Sequence, residues 1–131
     1  MVDPPSLFLV RFQSEPESAA LRTIVIVTRD GAVIAEARNA MRGSLDPTAH
    51  AEVVAIREAA TRLKTWRLTG TTMYVTIEPC SMCAGAIIQA RVSRLVFGAR
   101  DPKAGACGSV FNLGSNSNAG DIKVDLTSRG A

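Results

Sequence analysis

The sequence predicts an α/β fold in which helices cover both faces of a β-sheet. Short apolar, β-branched runs recur at residues 24–27, 32–37, 71–77, 94–98 and 121–126, and stretches with helical patterning at 46–63 and 81–91 lie among them. Such alternation favours right-handed crossovers, which bring both helix N-termini to one sheet edge. With 131 residues and 47% apolar content, the chain suits one domain with one core.

Residues 1–20 carry Pro4, Pro5 and Pro16 among serine and glutamate and show no sustained period, so they read as a loosely held arm. The folded part is expected from residue 21 onward. Arg29-Asp30-Gly31 supplies a turn with glycine in its left-handed position, joining runs 24–27 and 32–37 as a hairpin. Residues 38–45 read as a loop. Asp46 is a plausible N-cap and Pro47 suits a first helical position, so a helix is expected from there to about Leu63. His50, Val53, Val54 and Arg57 recur along it at three- and four-residue spacing, with Glu58, Arg62 and Lys64 keeping its outer side polar. Run 71–77 alternates as a strand and ends at Pro79, where a ladder donor is lost. Residues 81–91 are small and apolar, which predicts a second helix buried on much of its circumference. A strand at 94–98, a Gly- and Ala-rich loop at 99–109 and a last strand at 121–126 complete the chain, without internal repeats.

Three cysteines, two of them in a Cys-x-x-Cys pair, fit a reduced protein with a metal site better than a disulfide framework. Cys107 reads as a small buried residue. The start lacks a basic flank and the apolar run 7–10 is too short for a signal peptide or membrane span, so a soluble, cytoplasmic protein is expected. A net charge of +3 is compatible with a polyanionic partner without requiring one.

The chemistry concentrates in two segments, Asp46-Pro47-Thr48-Ala49-His50-Ala51-Glu52 and Glu78-Pro79-Cys80-Ser81-Met82-Cys83. A catalytic zinc site uses three protein ligands and leaves one position open, and His50, Cys80 and Cys83 supply that number. Cys80 and Cys83, three residues apart at a helix start, share one face, where the helix dipole and unpaired N–H groups favour thiolate. Glu52 lies two residues after His50, close enough to carry protons beside the metal without ligating it. A lone Cys-x-x-Cys also suits a redox pair or half of a structural zinc site, and a lone histidine an ordinary helix position. Here the only histidine of the chain shares a motif with a glutamate two residues on, and His-x-Glu with Pro-Cys-x-x-Cys is the pattern of zinc-dependent nucleobase deaminases.

From about residue 33 to 112 the chain closely resembles the bacterial tRNA adenosine deaminases of the cytidine deaminase superfamily. The resemblance extends beyond the metal motif to Tyr74-Val75-Thr76-Ile77-Glu78-Pro79-Cys80, to Met82-Cys83-Ala84-Gly85-Ala86, and to Val96-Phe97-Gly98-Ala99-Arg100-Asp101-Pro102-Lys103. It implies a cytidine deaminase-like fold, a three-layer α/β/α sandwich around a mixed β-sheet, with one zinc ion per subunit held by His50, Cys80 and Cys83. It further implies conversion of adenosine to inosine at the wobble position of a tRNA anticodon, with Glu52 as the catalytic proton carrier. By the same resemblance Asn39, Ala51, Pro79, Arg100, Asp101 and Lys103 contact substrate, the partners are a tRNA anticodon stem-loop and a second copy of the chain, and neither membrane nor DNA is expected. Asn39 as a turn cap, and Arg100 with Lys103 as a solvated loop, are the alternatives. Trp66 and Phe97 are expected in the core or an interface rather than under a base. Residues 21–131 would form the deaminase domain, with an atypical first strand and without the C-terminal helix of the family. Deamination of a free base or nucleoside such as guanine or cytidine, or a catalytically weak zinc-binding RNA-binding subunit, are the competing readings.

Overall fold

The computed structural model describes residues 23–109, 112 and 122–126, and the expected arm at 1–20 lies outside them. The described elements are β1 (Ile24–Arg29), β2 (Ala32–Arg38), α1 (Met41–Ser44), α2 (Ala51–Leu63), β3 (Thr71–Val75), α3 (Ser81–Gln89), β4 (Arg94–Phe97) and β5 (Lys123–Leu126). The strands form a mixed sheet in the order β2-β1-β3-β4-β5. β1 is antiparallel to both β2 and β3, whereas β4 is parallel to β3 and to β5. Consequently β1 alone runs against the others, and the carboxyl ends of β2, β3 and β4 emerge together at one edge. Open α/β sheets place their ligands outside such an edge.

The hairpin closes through a two-residue loop, Arg29 pairing with Ala32. Asp30 (φ 52°) and Gly31 (φ 80°) are both left-handed, the twist that an Asp-Gly pair supplies. One irregularity escapes the simple alternation. The β1–β2 register shifts between Val27 and Thr28, where Val27 pairs with Ala35 and Thr28 with Val33, leaving Ile34 as an extra residue. Ile34 and its neighbour Ala35 are therefore both buried.

One face of the sheet presents Val25, Val27, Met73, Val75, Leu95 and Phe97 to α2 and α3, which also touch each other. α2 meets it through Ala51, Ala55 and Ala59, a stripe repeating every four residues whose small side chains let the helix approach closely. Val53 and Val54, expected on the inner face, are only half-buried. On the opposite face Ile24, Ile26 and Val96 are buried as well. A helix over that face is not among the described residues. No described helix is long and apolar enough to cross a membrane.

Two expectations near the site require correction. α2 begins at Ala51, with His50 as its N-cap, rather than at Pro47 with Asp46 as cap. Asp46 instead closes a local turn, its Oδ1 accepting the Thr48 N–H at 2.9 Å and the Thr48 hydroxyl at 2.7 Å. The stretch read as a loop contains the short helix α1, ended by Leu45 in the left-handed region.

Candidate metal centre and cleft

His50 and Cys80 occupy equivalent places, the N-caps of α2 and α3, each with extended backbone and neither spending its side chain on capping. Cys83 sits one turn into α3 and is fully buried. The His50 Nδ1 lies 3.5 Å from the Cys83 Sγ and 3.8 Å from the Cys80 Sγ, and all three donor atoms lie within 4.8 Å of one another. Tetrahedral zinc with ordinary Zn–S and Zn–N bonds separates such atoms by about 3.6 Å. The donor set and its spacing therefore fit one zinc ion.

The helix start that His50 leaves uncapped is capped from a distance. Asn39, at the end of β2, accepts the Ala51 N–H through its Oδ1 at 2.8 Å. Since a backbone N–H requires an acceptor, the amide oxygen must face Ala51, which leaves the amide nitrogen for the cleft that Asn39 lines. Glu52, in the first turn of α2, is 4% exposed, and burial raises its carboxyl above the usual range despite the opposing pull of His50 and Cys83 nearby. Burial, followed by the Glu52 and Cys80 charges, pushes the Cys83 thiol up strongly. Without a cation the site thus favours thiol, whereas a divalent ion reverses that preference, as the donor set demands.

A cleft of about 300 Å³ opens over these groups, lined by Asn39, His50, Glu52, Cys80 and Asp101 together with Thr23, Met41, Ile77, Glu78 and Ala104. The remaining residues singled out from the sequence lie outside its lining. Ala51 is buried with its N–H given to Asn39, and the Pro79 carbonyl accepts the Ala106 N–H at 2.9 Å. The Arg100 guanidinium stands 5.9 Å from the Phe97 ring centroid and faces a separate cavity of about 440 Å³ bordered by Cys107, Ile122 and Val124. Lys103 is exposed, and its N–H donates to the Asp101 Oδ1 at 2.9 Å. Phe97 is core, 1% exposed, but Trp66 is 61% exposed and pairs with the Arg67 guanidinium at 5.2 Å, so it is not a core residue. Cys107 is buried as expected, and burial beside Glu78 pushes its thiol up to about 12.

The sequence reading gave Glu78 no role of its own. It is 2% exposed, and both carboxylate oxygens accept hydrogen bonds from the 101–109 segment. Burial acts to raise its carboxyl, but the bonds from Ser109, Cys107 and Asp101 outweigh it and hold the group below the usual carboxylate range. The signal available was an acid directly behind an apolar strand, where a charge is buried only if it is well satisfied.

The MafB19-like deaminase family matches residues 6–127 of this chain. A tRNA-specific adenosine deaminase of Bacillus subtilis is 49% identical over 88 residues, which cover 67% of this chain and 55% of the relative. The chain spans about half the length of the bacterial tRNA-specific adenosine deaminases it matches. A solved tRNA:A34 deaminase, from studies of A-to-I editing at the wobble position of transfer RNA, is 42% identical with a TM-score of 0.76, covering 80% of this chain and 77% of that one. The guanine deaminase of Bacillus subtilis is 41% identical with a TM-score of 0.61, covering 66% and 55%.

Proposed function

The chain belongs to the MafB19-like deaminase family and groups with the tRNA-specific adenosine deaminases, and from that premise we propose that it deaminates adenosine to inosine at the wobble position of a tRNA anticodon. The observation that carries the reading is a zinc-fitting triad with a buried carboxylate beside it, both opening on one cleft.

Zinc, when bound, supplies the Lewis acidity that makes water a nucleophile near neutral pH. Glu52 would carry both protons of that water in turn, the first to a ring nitrogen and the second, from the new hydroxyl, to the amine that leaves as ammonia. Water and adenosine are consumed, and inosine and ammonia are produced. Burial favours the protonated form of Glu52 more than solvent would, which suits a group that must release a proton as well as take one. The free amide nitrogen of Asn39 donates to the base, while Asp101 forms part of the opposing wall. Ala51 and Pro79 act through their backbone beside the ligands. Arg100 and Lys103, outside the lining, serve as phosphate contacts, which hold RNA without reading its sequence. The domain carrying this activity is residues 21–131, it works as a homodimer, and a tRNA substrate makes the cytoplasm its proposed location.

The test is product analysis on an anticodon stem-loop with adenosine at the wobble position, compared with free guanine, adenosine and cytidine. Inosine at that single position is expected. A zinc-loaded protein that releases no ammonia from the stem-loop would sink the reading. One finding favours a second reading, deamination of a free purine base: identity to the guanine deaminase nearly equals that to the tRNA:A34 deaminase, though over less of the chain. Turnover of guanine without turnover of RNA would select it.

A further inference from the structure

Glu78 gathers the chain around the cleft in a way that its place in the metal motif does not require. Its Oε1 accepts the Asp101 N–H at 3.1 Å and the Ser109 hydroxyl, and its Oε2 accepts the Cys107 N–H at 2.9 Å and the Ser109 N–H at 3.0 Å. The backbone is stitched to the same stretch of chain: the Glu78 N–H donates at 2.8 Å to the carbonyl of Ala99, just ahead of the segment, and the Pro79 carbonyl accepts from Ala106 within it. Every partner of the carboxylate is a donor, so both oxygens must be acceptors. Among the described residues, segment 101–109 has no ladder to hold it apart from a single bridge between Cys107 and Asn112. Glu78 supplies every described side-chain hydrogen bond that reaches this segment from outside it.

Gly105 reports the same closeness from the other side. A Cβ built there overlaps the Glu78 carboxylate and lies 2.6 Å from the Asp101 carbonyl oxygen, although the backbone at this residue is not left-handed. Glycine is needed here for space and not for conformation. The Gly105 N–H donates to that same Asp101 carbonyl at 2.9 Å, and the Asp101 Oδ1 accepts the N–H groups of Lys103 and Ala104, which completes a tight turn. Asp101 and Ala104, both in this turn, line the cleft, while Cys80 follows Glu78 by two residues.

We propose that Glu78 is a positioning residue for substrate: its carboxylate fixes the 101–109 segment as one wall of the cleft, in register with the metal-binding turn that follows it. The consequence for substrate rests on the deaminase reading above, whereas the ordering of the segment does not. Wall and metal are set by one residue, so the base is presented at a constant distance from the ligands. A substitution that spares the ligands but frees the wall weakens substrate binding more than it slows the chemistry.

The experiment uses Glu78→Gln, which keeps the shape and replaces an acceptor oxygen with a donor, in the full zinc-loaded chain. Zinc content is expected to stay at that of the native protein. The amides of Asp101, Cys107 and Ser109 should lose their protection from hydrogen exchange while those of β1 and β3 keep theirs. With the stem-loop, KM should rise about tenfold and kcat change by less than about threefold. Gly105→Ala should give the same pattern, and the double variant should be no worse than the more affected single one, because both break one contact. If Glu78→Gln fails to fold, Ser109→Ala removes only the hydroxyl donor, and a smaller rise in exchange and KM is expected. Unchanged protection of those amides, or a loss of kcat at constant KM, would overturn the proposal. If the native chain deaminates none of the substrates, the functional reading falls separately, and the amide protection alone decides whether Glu78 orders the wall.

Discussion

The cap that Asn39 makes and the contact with substrate proposed for it involve different ends of one amide, so the two can be tested separately. Its oxygen caps α2, and the residue lines the cleft, which leaves the nitrogen as the end available to substrate. Asn39→Asp keeps an acceptor for the Ala51 N–H and places a negative charge at a helix N-terminus, where it is favourable by about 0.3–1 kcal/mol. The variant removes the donor, so thermal stability should hold while kcat/KM on the stem-loop falls at least about tenfold. Asn39→Ala should lose both, with a stability cost of about 0.5–2 kcal/mol on top of the lost activity. Equal activity in Asn39→Asp and native protein would remove the nitrogen from substrate recognition. For Glu52 the expectation is simpler: Glu52→Ala keeps its zinc and loses turnover by about a hundredfold or more, measured as ammonia release against metal content. The ligands and Glu52 were legible in the sequence because each lies within a contiguous motif. The cap by Asn39 was not, since it acts on a residue 12 positions away and only the folded chain brings them together. Glu78 was hidden for the same reason, its partners lying 23 to 31 residues downstream.

At the level of elements, strands were legible wherever alternation met a buried face, as in β3, where Thr71, Met73 and Val75 point inward. The two longer helices were legible as helices, α3 starting at Ser81 as expected, but the start of α2 was not legible and α1 was read as a loop. Asp46-Pro47 has the chemistry of an N-terminus, and in the fold that chemistry closes a turn on Thr48. This leaves room for α1 and shifts the cap to His50, so the ligand stands at the mouth of α2 rather than inside it. The buried face of α2 was also obscured, because apolar patterning weights valine while the contact is made by alanine. Those alanines are what bring His50 down to the sheet edge. Ala55 is fully buried against the sheet, so Ala55→Leu must lift α2 or strain its neighbours, costing about 1–3 kcal/mol. A lower melting temperature together with weaker zinc retention is the expected outcome. Loss of stability with native zinc affinity would show that the close packing does not set the ligand position.

For the whole molecule, the centre is where two separately anchored parts of the chain meet. His50 arrives from β2 through α1, while Cys80 and Cys83 arrive from β3, and the sheet places β1 between those two strands. Apart from a bond between Cys83 and Glu52, the three side chains face one another, so ligation of one ion would tie the two helix ends together at the observed spacing. Stability should therefore be linked to zinc: above the dissociation constant, each tenfold rise in free zinc adds about 1.4 kcal/mol to unfolding, provided the unfolded chain binds it weakly. Unfolding followed in zinc buffers, with chelator as the zero point, measures this slope. Cys83→Ala should flatten it, because two ligands hold the ion far less tightly than three. Cys107→Ala is the matched control, a buried cysteine in the same core but outside the triad, and it should lower stability uniformly while the slope remains. The comparison separates ligation from packing. A zinc-independent native protein, or equal slopes for Cys83→Ala and native chain, would mean that the fold holds these three side chains together for some purpose other than a metal.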